Sequence, residues 1–174
     1  MTTPTPRWLD HEEMSAWRGL VETFADVEAD LDADLQRAHG MTSGDYGVLV
    51  HLSEEESGRL RMCDLAERLH LSPSGLTRRI DSLVRNGLVR REQAPEDRRV
   101  IWAVLTPEGR RRIEVAAPDH VESVRRCFFD HLSRTQVREL GRALAALRSG
   151  RAATAAPGSR RAGIDAGHAG HAAR

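Results

Sequence analysis

The spacing of apolar residues changes abruptly at Gly87, and that change limits what the chain can fold into. Before it, Leu76, Ile80, Leu83 and Val84 recur three and four residues apart, the repeat of an amphipathic helix. After it, Leu88 to Gln93 and Val100 to Leu105 alternate with a period of two, and Ala94-Pro95-Glu96-Asp97-Arg98-Arg99 joins them as a hairpin loop. A short helix is expected from Asp64 to His70, with Leu65, Ala66 and Leu69 facing inward. Leu71-Ser72-Pro73 forms the turn between the two helices, Ser72 serving as the cap and Pro73 fitting the first turn. Cys63 stands where a capping Ser or Thr is usual, so the short helix is weakly capped.

Long helical patterns flank this unit. From Leu9 to His39, Trp17, Leu20, Phe24, Val27, Leu31 and Leu35 form one apolar stripe opposite an acidic face, and Gly40 supplies the stop. A helix this long with a single stripe is expected to pack on a partner chain as well as on its own core. Thr42-Ser43-Gly44-Asp45 reads as a capped start for a helix carrying Tyr46, Leu49, Val50 and Leu52. Ser53 to Gly58 reads as a loop, and Arg59 to Met62 as a short strand. Thr106-Pro107-Glu108 opens another helix, which Pro118 is expected to kink or interrupt before it continues from Asp119 to His131. A capping box of Ser133 and Gln136 opens the last helix, with Val137, Leu140, Leu144 and Leu147 on one side. From Gly150 onward almost no large apolar residue remains, so a disordered tail is expected.

The fold expected is mainly α: a winged helix-turn-helix with a two- or three-stranded wing sheet and long N- and C-terminal dimerisation helices. Its parts are an N-terminal dimerisation region over 1–41, a winged lobe over 42–105, C-terminal dimerisation helices over 106–149 and the tail over 150–174.

The formal net charge of zero conceals a polarity along the chain. Residues 1–57 hold 13 acidic and 3 basic side chains, residues 58–99 hold 6 and 10, and residues 100–174 hold 7 and 13. A polyanion binder needs a local positive face rather than a positive total, and the helix-turn-helix lies in the positive part. No apolar run reaches the ~18 residues that cross a bilayer, and the first ten residues carry no export signal, so a cytoplasmic protein without a membrane partner is expected.

In a helix-turn-helix the second helix lies in the DNA major groove. Here its outer face displays Ser74, Thr77, Arg78, Asp81 and Arg85, with Ser72 at its cap and Arg79 beside Arg78. The hydroxyls can bond bases or phosphates, and the guanidinium of Arg78 has the fork that matches guanine. A hairpin with Arg98 and Arg99 at its tip suits the minor groove, whose narrow form attracts arginine. Asp97 can accept hydrogen bonds from the Arg99 guanidinium and hold it extended.

Asp97-Arg98-Arg99 followed by Leu105-Thr106 resembles the wing signature of the MarR family of bacterial regulators. Leu65-Ala66, Leu71-Ser72-Pro73-Ser74 and Gly87-Leu88-Val89 are similar to that family's helix-turn-helix, and the resemblance runs from roughly residue 10 to 149. It implies a homodimer joined through the first and last helices. It also implies a pseudo-palindromic double-stranded operator, and repression relieved by a small-molecule effector. In the family pattern Asp97 orients, Arg99 inserts and Arg98 contacts a phosphate.

The resemblance further implies an effector pocket between the dimer helices and the winged lobe, for which Trp17, Tyr46, His51 and Arg79 are the candidates. Urate sensing is not carried over, because Gly47 falls where an acid is expected. The peroxide-sensing branch places a reactive cysteine near the start of the first helix, and there is none there. Cys63 leaves a thiol-responsive regulator as one alternative, and a winged-helix module for protein contacts is another. Cys63 and Cys127 sit in no metal-type spacing, and His168 and His171 read as solvated linker residues. No phosphate-cradling glycine loop, zinc-protease motif or serine elbow occurs, so no cofactor, metal or catalytic centre is expected.

Overall fold

The computed structural model describes residues 6–154, with side chains to residue 152. Its elements follow in the order α1 (His11–His39), α2 (Ser43–Glu54), β1 (Arg59–Arg61), α3 (Met62–Arg68), α4 (Pro73–Arg85), β2 (Val89–Gln93), β3 (Ile101–Leu105), α5 (Pro107–Cys127) and α6 (Arg134–Thr154), with one 3-10 turn over Phe129–His131. Among the described residues no helix is long and apolar enough to cross a membrane. The mainly α winged helix-turn-helix architecture is the one the sequence implied, with three strands in the sheet.

Local chemistry sets the helix ends. Asp10 caps α1 in a reciprocal box with Glu13. Gly40 ends α1 in the left-handed region at φ 59°, where a side chain would strain the backbone. Thr42, Ser72 and Thr106 cap α2, α4 and α5 through their side-chain oxygens, and Ser133 with Gln136 opens α6. α3 begins two residues before the expected start. Its N-cap is Arg61 rather than Cys63, and it has no side-chain cap bond.

The strand order is β1-β3-β2, antiparallel throughout. Arg59 pairs with Val104 and Arg61 with Trp102 on one side, and Val89 pairs with Leu105 and Arg91 with Ala103 on the other. One face of this small sheet joins α2, α3 and α4 around a core that includes Leu49, Leu52, Leu60, Leu65, Leu76, Ile80, Leu83, Val89 and Ala103. Leu35 and Met41 from the α1 end, with Ile113 and Ala116 from α5, complete it.

α5 joins the lobe to the long helices. The Thr106 hydroxyl lies 2.7 Å from the Gly87 carbonyl and 3.0 Å from that of Leu88, and it accepts the Gly109 N–H. Further along, Ser123 donates to Asp34 (2.7 Å), and Arg126 and Arg37 pair with the same carboxylate. Arg112 donates to the His39 carbonyl at the end of α1, and His39 meets Asp119 at 2.9 Å.

Two expectations are corrected. α5 is not interrupted at Pro118, and it ends at Cys127, before a separate 3-10 turn over Phe129–His131, rather than continuing to His131. Proline cannot donate to the Glu114 carbonyl, and both residues are exposed, a setting in which a lost backbone bond costs less than in a core. α6 continues past Gly150 to Thr154, consistent with the helix propensity of Arg151 and Ala152, which needs no burial. Residues 155–174 of the expected tail lie outside the described residues.

The α1 stripe divides. Leu35 is buried, whereas Trp17 and Phe24 are 58% and 67% exposed in the single chain. Leu144 and Leu147 on α6 are 41% and 57% exposed.

Two measurements check this packing. A Cβ on Gly109 would lie 2.1 Å from the Leu88 carbonyl oxygen, so Gly109→Ala must shift backbone and is expected to cost about 1–3 kcal/mol in thermal or urea unfolding. The Ser123 hydrogen bond, then that from Arg37, holds the Asp34 carboxyl below its usual pKa. Its stabilisation is therefore complete above the unfolded pKa and vanishes as pH falls through the folded one. Asp34→Asn should melt below wild type at neutral pH, and the gap should close below about pH 4; a gap independent of pH would contradict this.

Candidate nucleic-acid interface

The second helix of the helix-turn-helix is anchored from behind and open in front. Leu76, Ile80 and Leu83 are buried, while Ser74, Thr77, Arg78 and Arg85 are exposed. Between α3 and α4 the chain turns through His70 at φ 52°, a left-handed conformation that histidine tolerates better than most residues. Ser72 Oγ accepts the Gly75 N–H at 3.1 Å and lies 3.2 Å from Ser74 Oγ. The Thr77 hydroxyl donates to the Pro73 carbonyl at 2.8 Å, leaving its oxygen outward as an acceptor. Arg78 and Arg85 form no ion pair among the described residues, so their charges are open to an outside anion.

Arg79 is the one member of the expected set that leaves this face. Its guanidinium donates to Thr42 Oγ1 at 3.3 Å and sits 3.7 Å from Asp45, against the backbone of Gly44. It ties α4 to the first turn of α2, and the helix repeat explains why: position 79 stands between the buried Leu76 and Leu83 rows.

At the wing tip Arg98 and Arg99 are exposed and make no ion pair among the described residues. Asp97 acts differently from expectation. Its carboxylate accepts the backbone N–H of Arg99 at 2.9 Å rather than the guanidinium, and its carbonyl accepts the Val100 N–H at 2.9 Å. Asp97 thus shapes the loop and leaves the Arg99 side chain free.

Arg91 is absent from the residues expected to matter, yet it fixes the wing to α4. Its guanidinium pairs with Asp81 and donates to the Thr77 carbonyl at 3.2 Å. Strand alternation puts Arg91 on the same side of the sheet as Val89, but the residue stays exposed and nothing in the spacing names Asp81 as its partner. On the other face, Arg59 and Arg61 stand over the ring of Trp102, 4.9 Å and 5.5 Å from its centroid.

The four effector candidates come from three elements, Trp17 from α1, Tyr46 and His51 from α2 and Arg79 from α4. Trp17 is on the exposed half of α1, Tyr46 is buried with its ring 4.3 Å from that of His120, His51 pairs with Glu54 at 3.8 Å, and Arg79 is engaged as described. A separate polar groove of about 240 Å³ lies between α1 and α5, lined by Asp34, His39, Asp119, Ser123 and Arg126 among others. Cys63 is a free, exposed thiol that donates to Asp64 at 3.4 Å. Burial and then the Asp64 carboxylate push its pKa up, away from the thiolate that redox chemistry uses. No cluster among the described residues could hold a metal ion.

Comparison with known proteins agrees with this geometry. The MarR family profile matches residues 41–101. The HTH-type transcriptional repressor YetL of Bacillus subtilis is 33% identical over 85 residues, 49% of this chain and 51% of that protein. The chain therefore matches about half the length of that relative. The HTH-type transcriptional regulator YkoM of the same organism is 30% identical over 115 residues, 66% of this chain and 73% of its own. Among solved structures, the MarR family transcriptional regulator Sco3205 from Streptomyces coelicolor, determined in complex with DNA, superposes with a TM-score of 0.79. It is 40% identical, over 85% of this chain and 92% of that one. With the winged helix-turn-helix lobe and the sequence similarity in agreement, this chain belongs to the MarR family.

Proposed function

We propose that the protein is a sequence-specific DNA-binding transcriptional regulator that grips a pseudo-palindromic operator as a homodimer. The observation that carries this reading is the arrangement of unpaired cations on one rigid lobe: Arg78 and Arg85 along α4, and Arg98 and Arg99 at the wing tip. α4 enters the major groove, where Ser74, Thr77 and Arg78 meet base edges and Ser72 and Arg85 meet phosphates. The wing enters the adjacent minor groove, Arg99 inserting and Arg98 meeting the backbone. Arg79 takes no part, because α2 holds it.

Homodimerisation accounts for the apolar residues a single chain leaves in water. Trp17, Leu20 and Phe24 on α1 and Leu144 and Leu147 on α6 would be covered by the same helices of a second copy. Such a dimer sets two copies of α4 at a fixed separation, matched to half-sites roughly one helical turn apart. A small molecule bound between the long helices and the lobe would favour another separation and release the DNA, which makes repression with ligand relief the expected mode. The α1–α5 groove lies at that junction and is the place to look for the effector.

The test is a gel-shift and anisotropy series against the DNA flanking the protein's own gene. Arg99→Ala is expected to weaken operator binding at least about tenfold, while the variant sediments and melts as wild type does; undiminished binding would remove the wing from the interface. Arg78→Ala should reduce discrimination between operator and unrelated duplex more than it reduces non-specific affinity. A uniform loss would make Arg78 a phosphate contact instead.

A further inference from the structure

A protein that fills a major groove with one element and the neighbouring minor groove with another must straddle the sugar–phosphate strand between them. In this molecule the space between those elements is an open groove of about 660 Å³. Its rim and floor include Arg61 at the end of β1, Cys63 from the first turn of α3, Thr77 from α4, and Arg99, Val100 and Ile101 from the wing.

Of the other charged groups that line it, two are already neutralised. Arg91 is committed to Asp81 and the Thr77 carbonyl. Glu92 is paired with Arg90 at 2.6 Å. Arg99 also lines the groove, from the wing tip, and Arg61 makes no ion pair among the described residues. Its guanidinium instead lies over the Trp102 ring, its direct cross-strand neighbour. A guanidinium resting on an aromatic face keeps its N–H groups free at the edge, with much of its rotamer freedom already removed.

We infer that this groove seats the DNA strand between the two grooves, that Arg61 grips its phosphate, and that Trp102 positions Arg61 for the task. The inference rests on the DNA-binding reading above and adds a contact outside the helix and the wing tip. Arg59 provides an internal control. It stacks on the same ring at 4.9 Å but does not line the groove.

The experiment measures the affinity of the full chain for a fluorescent mixed-sequence duplex of about 30 base pairs over a series of salt concentrations, which needs no known operator. Arg61→Ala should flatten the plot of log affinity against log salt by about 0.9 for each phosphate that is no longer neutralised, and Arg61→Gln should behave alike. Arg59→Ala should leave the slope at the wild-type value. Trp102→Leu should weaken binding, and removing Arg61 in that background should cost less than in wild type. Thermal melts select variants that remain folded, and the glutamine form serves if the alanine form does not. An unchanged slope in folded Arg61 variants, or equal losses for Arg59 and Arg61, would overturn the inference while leaving the regulator reading intact. Wild type that shows no salt-dependent duplex binding would overturn both.

Discussion

The architecture turns on the hydroxyl of Thr106. Its proton is shared by carbonyls just beyond the end of α4, and its oxygen receives the first turn of α5. One side chain therefore connects the recognition helix, the first wing strand and the helix leading to α1. The close approach at Gly109 follows from it, because α5 can start there only if its third residue lies flat against the Leu88 carbonyl. The departure angle of α5 decides where the core receives Ile113 and Ala116, and where Ser123 and Arg126 reach Asp34. The geometry of the lobe and the geometry of the long helices are thus one problem.

The lobe is a frame that presents unneutralised charge. Arg79 and Arg91 are spent inside it, one against α2 and one against α4, and their rigidity lets Arg78, Arg85, Arg98 and Arg99 stand without intramolecular partners. Division of labour among chemically identical side chains is the main thing the three-dimensional arrangement adds to the sequence.

That division also marks how far the sequence can be read. Features written in neighbouring residues are legible: the glycine stop at Gly40, the Ser72-Pro73 and Thr106-Pro107 starts, the Ser133–Gln136 box, and the change of period after Gly87. Periodicity tells which face a residue occupies but not what it meets there. Hence it groups Arg79 with Arg78 although the partners of Arg79 are 37 and 34 positions earlier, at Thr42 and Asp45, and it does not reveal the Arg91–Asp81 tie. Spacing also pairs Asp97 with Arg99 but points to the wrong nitrogen, since it does not distinguish an amide from a guanidinium. At Pro118 propensity argues for a break, but the exposed setting of Glu114 and Pro118 makes the lost backbone bond less costly, and the helix is not interrupted.

That uninterrupted proline has a mechanical consequence. A helix transmits bending through its ladder of backbone hydrogen bonds, and α5 lacks one rung at Pro118. The gap falls between the half of α5 set into the lobe by Ile113 and Ala116 and the half latched to α1 through Ser123 and Arg126. The two anchored halves of α5 therefore meet at the turn where its backbone is held by one bond fewer, which is where its resistance to bending is expected to be least.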